Sequence, residues 1–138
     1  MNKKVWMGAG VVFVLLSILG ILIHGVLLTS EYAKMPELFR GEQDMKMWLV
    51  FVVYAFIAYF FTLIFSKGYE NKGIAEGIRY GTYVGFMMAV PMAYGTYGSM
   101  PITYALALQW FLYGMVTYIL CGIALAFVFK PKGAPAAG

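Results

Sequence analysis

Charge is scarce in this sequence, and what there is lies unevenly. Asp, Glu, Lys and Arg make up 12% of the 138 residues, whereas an average soluble domain carries roughly 25%. No charged residue falls within 5–30, within 47–66 or within 80–129. A helix that crosses a bilayer needs about 20 apolar residues, so these runs accommodate one, one and two crossings. A soluble globule, a disordered tail and a nucleic-acid binder are all excluded by that distribution.

Cysteine and histidine are nearly absent as well. The single cysteine, Cys121, closes no internal disulfide and belongs to no CxxC pair, which excludes a disulfide scaffold. Inside an apolar run it reads as a small packing residue. The single histidine, His24, is too little for most metal chemistry. A catalytic zinc usually takes three protein ligands, so His24 would need Glu31 and a further acid from the loop that follows. A haem held by His and Met is open in principle, since there are ten methionines, but methionine is a common apolar filler. No nucleophile–base constellation, Walker sequence, dinucleotide fingerprint or HExxH motif is present. The expectation is therefore no catalytic residue and no cofactor, with His24 the one candidate should a metal or haem be bound.

What is present is hydrophobic length. Apolar residues supply 62% of the chain. The predicted fold is all-α, an integral membrane four-helix bundle in a single domain, 1–130. Its spans are about 5–28, 47–65, 76–94 and 102–129, and a small-residue, proline-containing tail, 131–138, forms a flexible end. The first apolar run is longer than the roughly 7–15 residues of a signal-peptide core, and no A-x-A site follows it. It reads as an uncleaved span. Residues 95–101, with two glycines, a serine and a proline, read as the turn between the third and fourth spans.

The basic residues orient the bundle. Lys3, Lys4, Lys67, Lys72, Arg79, Lys130 and Lys132 fall on the side that holds both termini, and Lys34, Arg40 and Lys46 on the other. Seven against three places the termini in the cytoplasm and the 29–46 loop outside, in the cell inner membrane. That loop has a Pro36–Gly41 stretch with the signals of a short helix, which Tyr32, Met35, Leu38 and Phe39 would lay on the membrane surface; an irregular solvated loop fits as well.

The most informative pattern lies on the third span. Gly73, Gly77, Gly81, Gly85, Ala89 and Ala93 recur every four residues and share a helix face. Small residues let helices approach closely in lipid, as in the GxxxG motif. Partners within the chain are Ala107, Gly114, Thr117, Cys121 and Ala124 on the fourth span and Gly10, Ser17 and Gly20 on the first; another copy or subunit is the alternative. At the start of this helix Glu70, Glu76 and Arg79 form an inner-face charge cluster. Glu76 and Arg79 stand at a spacing that permits an ion pair.

Polar groups inside the apolar runs suggest one further constellation. His24, Tyr54, Tyr94 and Gln109 fall at similar depth, in the layer near the outer side. Ionisable groups at such depth usually face the bundle interior, and Pro91 is placed to kink the third helix there. These four form the candidate polar cluster, suited to a quinone or lipid headgroup. The second span is dense in aromatics on every face, more than one bundle core can bury.

Ile23-His24-Gly25 at the end of the first span, with Gly68-Tyr69-Glu70-Asn71-Lys72-Gly73 leading to Glu76-Gly77-Ile78-Arg79-Tyr80-Gly81, resembles small four-span bacterial membrane proteins. The resemblance runs over the whole chain and implies the fold; it assigns no activity and no functional residue. Function is then expected to be that of a structural or accessory subunit of a larger membrane assembly, an electron-transfer complex among the candidates. The expected partners are the lipid bilayer, other membrane subunits or copies of the chain, and no nucleic acid. The alternatives are a self-assembling small transporter or channel, and a small membrane enzyme binding quinone, haem or metal around His24.

Overall fold

The computed structural model describes residues 2–131, and all regular structure among them is helical. The expected flexible tail lies outside the described residues except for Pro131. Helix α1 (Lys3–Leu22) starts at an N-cap whose side chain accepts a bond from the Lys4 N–H, and it runs on through a π turn, Ile23–Leu27. Helix α2 (Thr29–Ala33) is one short continuation. Helices α3 (Met47–Lys67) and α4 (Ile74–Val90) follow, then α5 (Thr96–Ser99) and α6 (Tyr104–Phe129). Three stretches are long and apolar enough to cross a bilayer: Lys3–Leu27, Met47–Lys67 and Tyr104–Phe129. α4 alone falls short, and it carries Glu76 and Arg79 in its first two turns.

α4 does not stop where the glycines and serine suggested. Pro91 has no N–H to give to the Met87 carbonyl, and the helix absorbs that loss in a π turn, Pro91–Gly95, before continuing as α5 to Ser99. The Ser99 hydroxyl donates back to the Gly95 carbonyl and so stays within the helix. The break falls instead at Met100, which is extended because Pro101 follows it. Thr103 then caps α6 by accepting the Leu106 N–H.

α1 packs on α3, α4 packs on α6, and α1 with α6 joins the two pairs. One end of the assembly gathers Lys4, whose Nζ donates to the Phe129 carbonyl at 3.1 Å, with the 68–73 loop; it is called the terminal end below. The far end carries the 28–46 loop. At the terminal end α3 and α4 meet through Phe61, Phe65 and Tyr80, and the Tyr80 hydroxyl donates to the Phe61 carbonyl. The core falls into two clusters. One, around Val12, Leu16, Phe61, Phe65 and Leu125, fills the terminal half. The other, around Ile23, Leu28, Met35, Ile102, Leu106 and Trp110, fills the far end.

The second cluster explains why the 36–41 stretch forms no helix and does not splay outward. Met35 is buried, and Leu38 and Phe39 pack beneath the loop onto the cluster around Trp110. Beyond α2, the loop's regular segment is a 3-10 turn, Glu42–Asp44. The Thr103 hydroxyl donates to Glu31 at 3.4 Å and ties the loop to the start of α6.

The small-residue face of α4 lies against α6. A Cβ at Gly77 would run into the Gly122 carbonyl, and one at Gly81 would meet Ile119 Cα at 2.6 Å. At Gly85 it would meet the Met115 thioether at 3.0 Å, and Ala89 approaches Gly114. Ala93 is fully buried in the second cluster. Gly73 is different: it is the N-cap of α4 at φ 74°, a conformation that suits glycine, and it starts the helix rather than packing on its face.

Candidate functional site

The candidate site grows from the π turn at the end of α1. There the Leu28 N–H reaches back to the Ile23 carbonyl, five residues away, so one extra residue is accommodated in the turn. π turns of this kind are frequent at functional sites, and this one contains His24. The loop then folds back and sets Tyr32 against it. The Tyr32 hydroxyl lies 2.5 Å from His24 Nδ1 and accepts the Trp110 Nε1–H at 2.9 Å. Phe39 packs on both the Tyr32 and Trp110 rings.

The direction of the Trp110 bond follows from the groups themselves, and that of the His24 bond from the tautomer assigned to the ring. An indole N–H can only donate. Tyr32 therefore accepts from Trp110 and keeps its own proton. With His24 as the neutral Nε2–H tautomer, an assignment made from the network, that proton goes to Nδ1. Burial pushes the Tyr32 hydroxyl up to about 12; the Trp110 bond works the other way, and Tyr54 adds to the rise. Tyr32 thus remains a donor throughout the physiological range.

One turn before His24 stands Gly20. The Tyr54 hydroxyl from α3 occupies the space a side chain there would need. Tyr54 Oη makes no hydrogen bond among the described residues. Gly20, His24 and Tyr54 line both of two adjoining cavities. The larger, about 660 Å³, lies under the folded loop and is walled by Ile21, Tyr32, Phe39, Met47 and Phe51, with Arg40 and Glu42 also on its lining. The smaller, about 290 Å³, lies between the helices and is lined by all four long elements, including Leu16, Val53, Ile57, Met88, Met92, Trp110 and Thr117. Val53, Met88 and Met92 are exposed, so this cavity opens sideways between α3 and α4, where the two helices have diverged.

Of the four residues expected to cluster, His24 and Tyr54 come together. Tyr94 does not join them. Its hydroxyl pairs with Tyr104 at 3.3 Å and its ring packs on Phe111. Gln109 precedes Trp110 on α6 and lines neither cavity. Glu31, the other acid expected near His24, turns away to Lys34 and Thr103. Tyr32 and Trp110 were missing from the expected set. Each has an apolar body with a polar tip, the kind of side chain that pairs when buried, but they stand 78 positions apart in sequence.

The charge cluster at the terminal end has a different wiring from the one its spacing suggested. Arg79 pairs with Glu70 at 2.6 Å, and Lys72 pairs with the same carboxylate at 2.9 Å. Lys72, by hydrogen bond and charge, is the main cause holding the Glu70 carboxyl below its usual range, with Arg79 adding to it. Glu76 is only 4% exposed and does not meet Arg79. Its carboxylate accepts the Glu70 N–H at 2.6 Å and the Lys72 N–H at 2.9 Å. A buried carboxylate needs such donors, and the loop supplies them by turning through Asn71 at φ 58°. This cluster shapes the loop and leaves no open ligand position at Glu76.

Among the described residues no three His, Cys, Asp or Glu side chains gather closely enough to hold a metal ion. Compared with known proteins, the chain matches no family, no curated protein and no solved structure.

Proposed function

We propose that the chain is a four-span membrane protein of the cell inner membrane, with both termini cytoplasmic, that captures a bilayer-dissolved amphiphile in the crevice around His24. The observation that carries this reading is the junction of the two cavities. A mainly apolar space opening between helices ends at a few convergent polar groups, His24, Tyr54 and Tyr32, which is the usual make-up of a small-molecule site. The seven-to-three basic count supports the orientation. The helical run from Ile74 to Ser99, with its π turn, supplies a fourth element of sufficient length. The glycine face of α4, in GxxxG register, is the seam that holds α4 to α6.

Native mass spectrometry of protein extracted in mild detergent tests the ligand reading. A bound lipid should be retained by the parent chain and by Val52→Trp, and lost from Val53→Trp, which plugs the lateral mouth. Equal retention in Val53→Trp would refute it.

A second reading, the accessory subunit, has its own support. Trp48, Val52, Phe56, Phe60 and Ile64 stand four apart along α3, and all are exposed. Such a row fits a neighbouring helix of a larger assembly, an electron-transfer complex included. Co-purification of stoichiometric membrane subunits, lost in Phe56→Ala with Phe60→Ala, would favour it.

A further inference from the structure

We infer that the crevice selects a neutral lipid whose polar end presents carbonyl oxygens, a chemistry shared by prenylquinones and diacylglycerols. This rests on the reading of the crevice as an amphiphile site. Selection follows from what the junction offers. His24 Nδ1 is engaged with the Tyr32 hydroxyl, and with the Tyr32 proton assigned to it the neutral ring has Nε2–H to give. Neither that nitrogen nor the Tyr54 hydroxyl has a hydrogen-bond partner among the described residues. Neither is shut away from the cavities either, since the fully buried, unpartnered side-chain polar atoms are those of Ser17 and Thr62. Two neutral donors from facing helices thus line one junction. Carbonyl oxygens are acceptors only and match them.

A phosphate headgroup fits less well. The charged residues lining the outer cavity are Arg40 and Glu42, one of each sign. Phosphate recognition draws on clustered cations or a bidentate arginine, and here the lining holds a single guanidinium and one carboxylate. The tail has a route of its own. The inner cavity, which shares His24 and Tyr54 with the junction, also reaches Val53 and Met88, both exposed, and that gap faces the bilayer in the proposed orientation. A lipid could therefore enter sideways, with its tail still dissolved in the membrane.

The test is thermal unfolding of the full chain in detergent, titrated with decylbenzoquinone, dioctanoylglycerol and dioctanoyl phosphatidylglycerol. A ligand that binds only the folded state raises the midpoint in proportion to its occupancy. Decylbenzoquinone or dioctanoylglycerol should raise it, and whichever does identifies the source; phosphatidylglycerol should not. Tyr54→Phe removes one donor and should weaken the neutral ligand about tenfold, the equivalent of a single hydrogen bond. Tyr83→Phe, exposed on α4, should leave the affinity unchanged. Stabilisation by phosphatidylglycerol equal to or above that by the neutral lipids would overturn the inference and leave the amphiphile reading standing, as would equal affinity in Tyr54→Phe. Failure of all three probes where native mass spectrometry still finds a retained lipid also overturns the inference alone. Failure of all three with no retained lipid overturns both.

Discussion

At the residue scale the molecule turns on a tyrosine that no spacing rule selects. Tyr32 accepts from one side chain and donates to another, so its hydroxyl satisfies two partners at once. Tyr32→Phe keeps the ring and its packing on Phe39, yet strands the Trp110 N–H in a site where that indole is 9% exposed. Leaving a buried donor unpaired costs about 1–3 kcal/mol. We expect a lower unfolding midpoint in detergent for Tyr32→Phe than for Tyr94→Phe, whose hydroxyl meets Tyr104 at the exposed surface. Equal midpoints would show that the Trp110–Tyr32–His24 chain adds nothing. His24 was legible in the sequence because it is the one ionisable group at that depth. Tyr32 was not, because it lies in a loop whose inward fold depends on Met35 being buried with the half-buried Leu38 and Phe39 packed against the same cluster.

At the element scale the α4–α6 seam is graded along its length. At Gly77 and Gly81 the opposing atoms are backbone, which has nowhere to go. At Gly85 the opposing atoms belong to the Met115 thioether, which is flexible and can swing aside. Forcing extra volume into a packed interior typically costs about 1–3 kcal/mol. Gly77→Leu and Gly81→Leu should therefore lower the midpoint and the folded yield most, Gly85→Leu less, and Met87→Leu, on the exposed face, least. A flat series would refute the seam. The every-fourth-residue spacing made this face readable from sequence. Its partner was harder to find. Gly114 belonged to the expected set, whereas Gly122, four residues before the small Ala126 on α6, did not. Helix ends were harder still. Residues 95–101 looked like a breaker cluster, yet Ser99 bonds back into its own helix and the break waits for Pro101 to force Met100 into an extended conformation.

At the scale of the whole molecule the prediction is topological. In intact cells an impermeant maleimide should label Glu42→Cys, and should label Asn2→Cys and Lys67→Cys only after permeabilisation. The native Cys121 is fully buried and silent. The reverse pattern would invert the proposed orientation and put the crevice on the cytoplasmic side. That the chain is helical, with stretches long and apolar enough to cross a bilayer, was plain from its charge-free runs. Which helices touch was not, because exposed residues and core residues are equally apolar in such a sequence, and period alone does not separate them.

The joint between α3 and α4 gives the assembly the mechanics of a pair of tongs. Tyr80 grips Phe61 near one end, and Val53 stands about 12 Å further along the helix axis. A tilt of about 10° around that grip would move α3 at Val53 by about 2 Å over such a lever arm. The clearance of the jaws, and so the thickness of what passes between them, would then be set at the Tyr80–Phe61 contact, about two turns of α3 from the mouth.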